Sequence, residues 1–318
     1  SRVQSSERLT AGDQVLRELA ERLEYLRGLD KRREEVTGTL ETLGVLTEEL
    51  KDKLAAAQTL TEIEDLYRPY RPKRKTRASV AKEKGLQPLA EELLKQGKES
   101  PLTLAEGYVD AEKGVENVED ALQGAKDILA EMFSDDADLR KALRTYLAQH
   151  AVLTSTGPLK EDVAGTYATY YDYAEGVAKA AGHRILAIDR GEKDEILKVK
   201  ITCDRDTCLS ALYNAYVQAG SPCTKTVMEA CDDSFDRLIF PSLERELRND
   251  LSEKAQTGAI HVFGVNLRQL LMQPPIAGQV VLGWDPAFRT GCKLAVVDQT
   301  GKVLDTAVVY PTEPQNKV

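Results

Sequence analysis

Asp285 is the residue whose position first suggests chemistry, because it ends the apolar start of the segment VLGWDPAFRTGCKLAVVD at 281–298. In nucleases that use two metal ions, a strand presents such a carboxylate, and further carboxylates join it to hold the ions about 4 Å apart. A single carboxylate cannot hold that pair. Asp298 closes the next apolar stretch, but Gly301 follows it closely and indicates a turn. We therefore predict that Asp285 caps a turn with Pro286, and we assign no catalytic or metal-binding residue.

A dense group of cations offers a second candidate chemistry. The stretch from Tyr67 to Lys84, here called the basic segment, holds eight basic residues and one acid in a chain of net charge −9. Flexible cations neutralise phosphates without reading base sequence, and Tyr67 and Tyr70 offer rings on which exposed bases can stack. The predicted nucleic-acid-binding residues are Arg68, Arg71, Lys73, Arg74, Lys75 and Arg77. The alternatives are a solvated connector, pairing with acidic helices, or contact with an acidic protein partner.

Cysteine and histidine spacing favours no cofactor. The five cysteines are Cys203, Cys208, Cys223, Cys231 and Cys292. They lack the short paired spacing of structural zinc sites, and their odd number is typical of reduced cytosolic thiols. The three histidines are scattered, so they support no catalytic triad, and GKV at 301–303 lacks the preceding glycine of a P-loop. We expect no metal and no cofactor.

Composition indicates a soluble globular protein of about two domains, with 318 residues of which 42% are hydrophobic and 30% charged. No apolar run reaches the roughly 18 residues that suggest a membrane span. The opening SRVQSS is polar and unlike a signal peptide. These features predict a soluble protein without membrane contact. Because the chain does not begin with Met, we expect a fragment.

Helical periodicity dominates the first half of the chain. Leu16, Leu19, Leu23 and Leu26 recur at steps of three and four, which places them on one helical face. The expected caps are Thr47, a capping box of Thr61 with Glu64, and Ser134. The helix before Pro69 should end there, and an extended, proline-stiffened loop, YRPYRPKRKTR, should follow. Further helices are expected at Gln87 to Lys95, Val118 to Phe133 and Asp135 to His150.

The pattern changes near residue 184. RILAIDRGEKDEILKVKIT has β-rich ends around Gly191, and Leu197, Val199 and Ile201 alternate with lysines, so we predict a β-hairpin at about 184–201. A long helix should return, with apolar residues stepping by four from Leu243 to Leu271. The predicted fold class is mainly α: a multi-helix domain with an inserted β-hairpin, followed by the first strands of a truncated α/β domain, at about 279–284, 292–298 and 303–310.

Two weaker patterns also bear on function. ASVAKEKGLQPLAEELL at 78–94 resembles a helix-turn-helix, but Glu91 falls where that motif needs an apolar residue. We therefore do not favour DNA reading by this element. The tyrosines Tyr167, Tyr170, Tyr171 and Tyr173 have no interleaved basic residues, so packing between the helices and the hairpin is the favoured role.

Four segments together resemble the Tex family of bacterial transcription accessory proteins. They are ERLEYLRGLDKRREEV (21–36), IEDLYRPYRPKRKTRASVAKEKGLQPLAEELL (63–94), DRLIFPSLERELRNDLSEKA (236–255) and GWDPAFRTGCKLAVVDQTGKVLDT (283–306). The resemblance implies a helical N-terminal domain at 1–272, a linker at 273–278 and the incomplete start of a YqgF-type, RNase H-like domain at 279–318. It also implies helix-hairpin-helix and S1 RNA-binding regions further along such proteins. Ala287 departs from the family's usual glycine, and Trp284 from its usual aliphatic residue.

The resemblance implies a non-catalytic, nucleic-acid-binding scaffold of the cytoplasm that acts with the transcription machinery, including RNA polymerase, and the basic segment predicts binding without sequence preference. One alternative is a nuclease of the Holliday-junction-resolvase type, with its remaining carboxylates beyond this chain. A further alternative is a helical protein–protein adaptor. Further carboxylates would favour the nuclease, and binding that ignores polyanions would favour the adaptor.

Overall fold

The computed structural model describes residues 2–72, 74–274, 276, 278–287 and 290–311, with side chains from residue 15 onward. The chain divides into two compact units, Ser1–Gln256 and Thr257–Val318. The α-helices of the described residues are α1 Arg2–Thr42, α2 Glu48–Ala56, α3 Leu60–Tyr67, α4 Arg77–Glu83, α5 Gln87–Lys95, α6 Pro101–Glu106, α7 Val118–Ser134, α8 Ala137–His150, α9 Gly182–Lys193, α10 Arg205–Tyr216, α11 Thr224–Asp233 and α12 Phe240–Leu271. The strands are β1 Val152–Thr156, β2 Asp172–Gly176, β3 Lys198–Thr202, β4 Val281–Asp285, β5 Cys292–Val297 and β6 Val303–Val309. The predicted class, mainly α followed by short strands, is confirmed.

A small apolar cluster joins α1, α2 and α3. It buries Leu29, Val36, Leu40, Leu54, Ala57 and Ile63. Arg33 also fastens α1 to the end of α2, because its guanidinium donates to the carbonyl oxygens of Leu54 and Ala57 at 2.9 Å. The predicted leucine stripe of 16–26 lies on a helix, but its four leucines are exposed within the described structure.

Helix caps follow local hydrogen bonding, and two predicted caps were wrong. Thr47 caps α2 as expected. For α3 the cap is Thr59 rather than Thr61, because Thr59 accepts from the Glu62 N–H while the Glu62 carboxylate accepts from the Gln58 N–H.

Ser134 does not cap α8 either. It is the last residue of α7, and its hydroxyl donates to the Glu131 carbonyl oxygen at 2.8 Å. Asp136 caps α8 instead, accepting from the Leu139 N–H at 2.9 Å. The free N–H of Leu139 in the first turn of α8 needs a hydrogen-bond acceptor. Asp136, three residues before it, is within reach, whereas Ser134 is too far back.

The main core of the first unit forms around α7, which contacts α4, α5, α6 and α11. Gly124 in α7 faces α4 so closely that an added Cβ would clash with Leu86 and lie 3.3 Å from the Cβ of Ala81. The absence of a side chain at Gly124 therefore allows the turn between α4 and α5 to seat against α7.

The predicted hairpin at 184–201 was wrong in its first arm. Residues 182–193 form helix α9, in which Ile185 and Ile188 are three residues apart and both buried. Gly191 serves close packing rather than a turn, since a Cβ there would lie 2.5 Å from Leu197 Cδ1. The second arm is strand β3, as expected, but its partner is β1, and the antiparallel sheet has the order β2-β1-β3.

The tyrosine cluster packs against the residues that lead into β3. The predicted packing is thus confirmed, but the hairpin expected as its partner is replaced by α9 and β3. Tyr167 is buried with Ile196 and Leu197. Its hydroxyl donates to Asp194 at 2.5 Å, and the hydroxyl of Tyr171 donates to Asp162 at 2.8 Å. The buried Tyr167 and the half-buried Tyr171 thereby each keep a hydrogen-bond partner.

The second unit contains the end of α12 and an antiparallel sheet of order β4-β5-β6. The long predicted helix is confirmed, although Phe263, Leu267 and Leu271 are exposed. Asp298 forms the turn between β5 and β6, as predicted, and accepts from the N–H groups of Thr300 and Lys302 at 2.8 and 3.0 Å. The Thr300 hydroxyl, which donates to the same carboxylate at 2.7 Å, lowers the pKa of Asp298 most, and the two N–H groups lower it further. Among the described residues, no helix is long and apolar enough to cross a membrane.

Candidate nucleic-acid interface

The basic segment begins where α3 ends, at Tyr67, as Pro69 predicted. The prediction of an extended, proline-stiffened loop was wrong at both ends, because Arg68–Tyr70 forms a turn of 3-10 helix and Arg77 already begins α4. Proline suits the first positions of such a turn, since it needs no N–H partner there. Thr76 then caps α4 in a reciprocal capping box with Ser79. The segment is therefore fixed at both ends.

A buried ion-pair network fixes the first end. The Asp65 carboxylate, on the buried face of α3, accepts from Arg140 Nε and Arg144 Nη2 of α8, each at 2.8 Å. Arg144 also donates to Glu246 of α12 at 2.6 Å, and Arg140 donates to Ser242 at 3.1 Å. The Arg140 side chain is only 3% exposed. Burial, followed by the nearby charge of Arg68, lowers its pKa.

The sequence alone does not predict this network. Asp65 is two residues from the buried Ile63 and so lies on the opposite side of α3, away from the α1–α3 cluster. Arg140 and Arg144 are one helical turn apart, a spacing that is common on solvated faces. In the sequence Asp65 therefore looks like a solvated carboxylate, and its partners, 75 and 79 residues away, can be identified only from the fold.

Arg68, predicted as a phosphate contact, is engaged within the protein. Its Nε donates to the Asp135 carboxylate at 3.1 Å, and the Asp135 side chain is only 10% exposed. Tyr67 and Tyr70 pack against the α1–α3 cluster, and Arg32 lies 5.8 Å from the Tyr67 ring centroid. Tyr67, Arg68 and Tyr70 therefore mainly anchor the segment to the rest of the protein. The packing leaves only part of each tyrosine ring accessible for base stacking.

The next four described cations are free of such contacts. Arg71, Arg74, Lys75 and Arg77 are exposed and have no ion-pair partner among the residues that the structure describes. Lys73 lies outside the described residues. The predicted site residues thus separate into an anchored Arg68 and a solvent-facing group, Arg71, Arg74, Lys75 and Arg77, here called the free cations.

An open cleft of about 670 Å³ adjoins the free cations. Lys75, Arg77 and Lys84 line one side, and Glu116 and Asp120 are among the acids in its lining. Lys84 is held there, because its ammonium donates to the Gly114 carbonyl oxygen at 2.7 Å. The mixed charge disfavours a phosphate deep in the cleft, so the outward-facing cations provide the better anion surface.

The helix-turn-helix pattern at 78–94 corresponds to α4 and α5, joined at Gly85 with φ +82°. Glycine suits this left-handed turn. Leu89 and Leu93 are buried against the core, whereas Glu91 is exposed, so α5 packs without an apolar residue there. The bihelical geometry alone does not distinguish DNA reading from packing.

Asp285 lies exposed at the end of β4, opposite Lys293 of β5 in the strand register. Opposite charges at facing positions of a strand pair attract each other modestly, and a nearby ammonium repels a metal cation from the carboxylate. Ala287 is not among the described residues with positive φ, so the replacement of the usual glycine causes no strain there. Among the described residues, no three His, Cys, Asp or Glu side chains are placed to hold a metal.

Two family models match the chain. A Tex central region model matches residues 96–263, and a Tex protein YqgF-like domain model matches residues 279–318. The basic segment precedes both matches.

Similar proteins occur in bacteria and in animals. Protein YdcI of Bacillus subtilis is 45% identical over 94% of this chain and 42% of its own length. The transcriptional accessory protein Tex of Neisseria gonorrhoeae is 38% identical, over 96% of this chain and 41% of its own. The human S1 RNA-binding domain-containing protein 1 is 30% identical, over 93% of this chain and 31% of its own length. The chain therefore spans about two fifths of the length of its bacterial relatives.

The helical first unit and the strands β4–β6 place this chain in the class of proteins that join a helical central region to a YqgF-like domain. The chain belongs to the Tex family, as its sequence motifs predicted.

Removing the Asp65 carboxylate should destabilise the first unit strongly. Asp65→Ala leaves Arg140 and Arg144 buried without their shared partner, and breaking a buried pair in this way costs about 3–5 kcal/mol. Urea unfolding followed by circular dichroism at 222 nm measures the loss. The control is Asp138→Ala, which removes only the exposed pair with Lys53 and should cost at most about 1 kcal/mol. Equal losses in the two variants would contradict a structural role for the network.

Proposed function

We propose that this chain is a non-catalytic, nucleic-acid-binding part of a Tex-family transcription accessory factor, and that the free cations form its contact with phosphate. The observation that carries the proposal is the exposure of Arg71, Arg74, Lys75 and Arg77 between two fixed ends of the basic segment. Relatives named as a transcriptional accessory protein and as an S1 RNA-binding domain-containing protein support it.

The chemistry of the free cations favours binding without sequence preference. Guanidinium and ammonium groups neutralise phosphates and release condensed counterions, so affinity depends steeply on salt. Such contacts position a nucleic acid but do not specify its bases. Because the whole chain carries a net charge of −9, long-range repulsion opposes the encounter. We expect weak binding of both RNA and DNA, and we propose RNA polymerase or its transcript complex as the setting in which it acts.

The proposed lack of catalysis rests on the surroundings of Asp285. Two-metal phosphodiester cleavage needs several carboxylates around both ions. Asp285 instead faces Lys293 across the strand pair, and Asp298 is committed to its own turn through hydrogen bonds to Thr300 and Lys302. The strands β4–β6 thus serve the fold of a YqgF-like domain in this proposal.

Charge reversal of three free cations should abolish most binding. The variant Arg74→Glu/Lys75→Glu/Arg77→Glu is titrated against a fluorescent RNA and a DNA duplex at several salt concentrations. Each lost phosphate contact removes about 0.7 counterions on a single strand and 0.9 on duplex DNA, so the log–log salt slope should fall in magnitude by about 2–3. The fold should persist, because Thr76 still caps α4 and glutamate suits a helix N-terminus.

The matched control reverses three exposed lysines elsewhere, Lys98, Lys193 and Lys225. It changes the net charge by the same amount, so it isolates position from total charge. The control should keep the parental salt slope and lose little affinity. If the basic-segment variant binds as well as the parent, the segment is a solvated connector. If the control variant loses as much affinity as the basic-segment variant, the loss is an effect of net charge alone.

The chain should not cleave nucleic acid when supplied with Mg²⁺ or Mn²⁺. Single-stranded, duplex and four-way-junction substrates are incubated with the parent and with Asp285→Asn, and the products are separated on denaturing gels. We expect no product from either protein. Metal-dependent cleavage by the parent that disappears in Asp285→Asn would establish the nuclease alternative.

A further inference from the structure

Two thiols meet at the start of α10. Cys203 directly precedes Asp204, the N-cap residue, and Cys208 lies four residues after that cap. Their sulfur atoms are 3.9 Å apart. These two positions are the ones at which an apolar pair commonly packs across a helix N-terminus. In this chain, both members of the pair are thiols.

The surrounding contacts hold the two thiols in place. Asp204 accepts from the Thr207 N–H at 3.3 Å and from the Thr207 hydroxyl at 2.6 Å, which fixes the first turn of α10. Strand β3 ends at Thr202, immediately before Cys203, and pairs with β1. The thiol pair therefore spans the joint between the sheet and α10.

The two thiols differ in access and in acidity. Cys203 is partly exposed, whereas Cys208 is buried. The S–H of Cys208 donates to the Cys203 sulfur and lowers the pKa of Cys203, against the opposing effects of burial and of the charges on Asp204 and Glu244. The same contact and burial raise the pKa of Cys208. Because the thiolate is the reactive form, Cys203 is the first thiol to meet a reagent from solvent.

We propose that Cys203 and Cys208 form an oxidation site that hydroperoxides convert into a disulfide. The Cys203 sulfur attacks one peroxide oxygen and breaks the O–O bond, which gives a sulfenic acid at Cys203 and one water. The Cys208 sulfur then attacks the sulfenic sulfur and displaces its oxygen, which leaves with the Cys208 proton as a second water. Two thiols are oxidised to one disulfide, and one hydrogen peroxide is reduced to two waters.

The disulfide would join β3 to α10 covalently. It closes a short loop that is already folded around the Asp204 cap, so it restricts the unfolded chain more than the native one. The oxidised protein should therefore melt a few degrees higher than the reduced protein.

The test exposes the full chain to a small excess of hydrogen peroxide, blocks the remaining thiols with N-ethylmaleimide under denaturing conditions, and maps tryptic peptides by mass spectrometry. Trypsin cleaves after Arg205, so the disulfide would link the peptide ITCDR to the peptide that begins at Asp206. Fragmentation must place the link on Cys208 rather than Cys223, which the second peptide also carries. We expect this linked pair, reversed by dithiothreitol, with a raised melting temperature.

Single variants separate the proposal from general oxidation. In Cys208→Ser, Cys203 should stop at the sulfenic acid, which dimedone captures, while the control Cys292→Ser should form the same disulfide as the parent. Circular dichroism verifies that both variants fold. The assignment would be overturned by a disulfide to Cys223, by a disulfide between chains, or by overoxidised Cys203 beside an alkylated Cys208. It would also be overturned if the parent formed no disulfide at a peroxide concentration that produces sulfenic acid in Cys208→Ser.

Discussion

The buried carboxylate of Asp65 is the constraint on which the arrangement of the first unit depends. A carboxylate withdrawn from water needs compensation by charge and hydrogen bonds, and here Arg140 and Arg144 of α8 supply both at 2.8 Å. Glu246 brings α12 into the same network. Three helices from distant parts of the sequence are thereby brought together, and the chain leaves α3 in a fixed direction. Arg68, which forms an ion pair with Asp135, fixes the position of the first residues of the basic segment.

This arrangement explains how an acidic chain can present a basic surface. Several acids near the segment already have internal partners: Asp65 and Asp135 bind arginines, Glu62 binds Lys141 at 2.7 Å, and Glu64 binds Arg32 at 2.6 Å. Internal pairing satisfies these carboxylates and shortens the range of their fields. The free cations, in contrast, face solvent. In our proposal, the distribution of charge therefore governs binding more than its sum.

The sequence predicts those features of the fold that depend on interactions between neighbouring residues. The bounds of α5, the end of α3 before Pro69, the cap at Thr47 and the alternation of β3 all follow from neighbouring residues. The hairpin failed because β-branched residues in α9 bury one helical face, and Gly191 serves contact with Leu197 rather than a turn. The sequence pattern of the basic segment identified its cations. It could not separate the anchored Arg68 from the free ones, because Asp135 is 67 residues away.

The central claim is that the anchored segment presents its cations to phosphate. Hydrogen exchange with and without a saturating single-stranded RNA tests this claim most directly. Peptides covering residues 71–84 should exchange more slowly in the complex, because bound phosphates restrict the segment between Arg68 and α4. Peptides covering β1 and β3 should be unchanged, although β3 carries the exposed lysines Lys198 and Lys200. Slowed exchange confined to β3, to the α1 leucine stripe or to β4–β6, with 71–84 unaltered, would contradict the account.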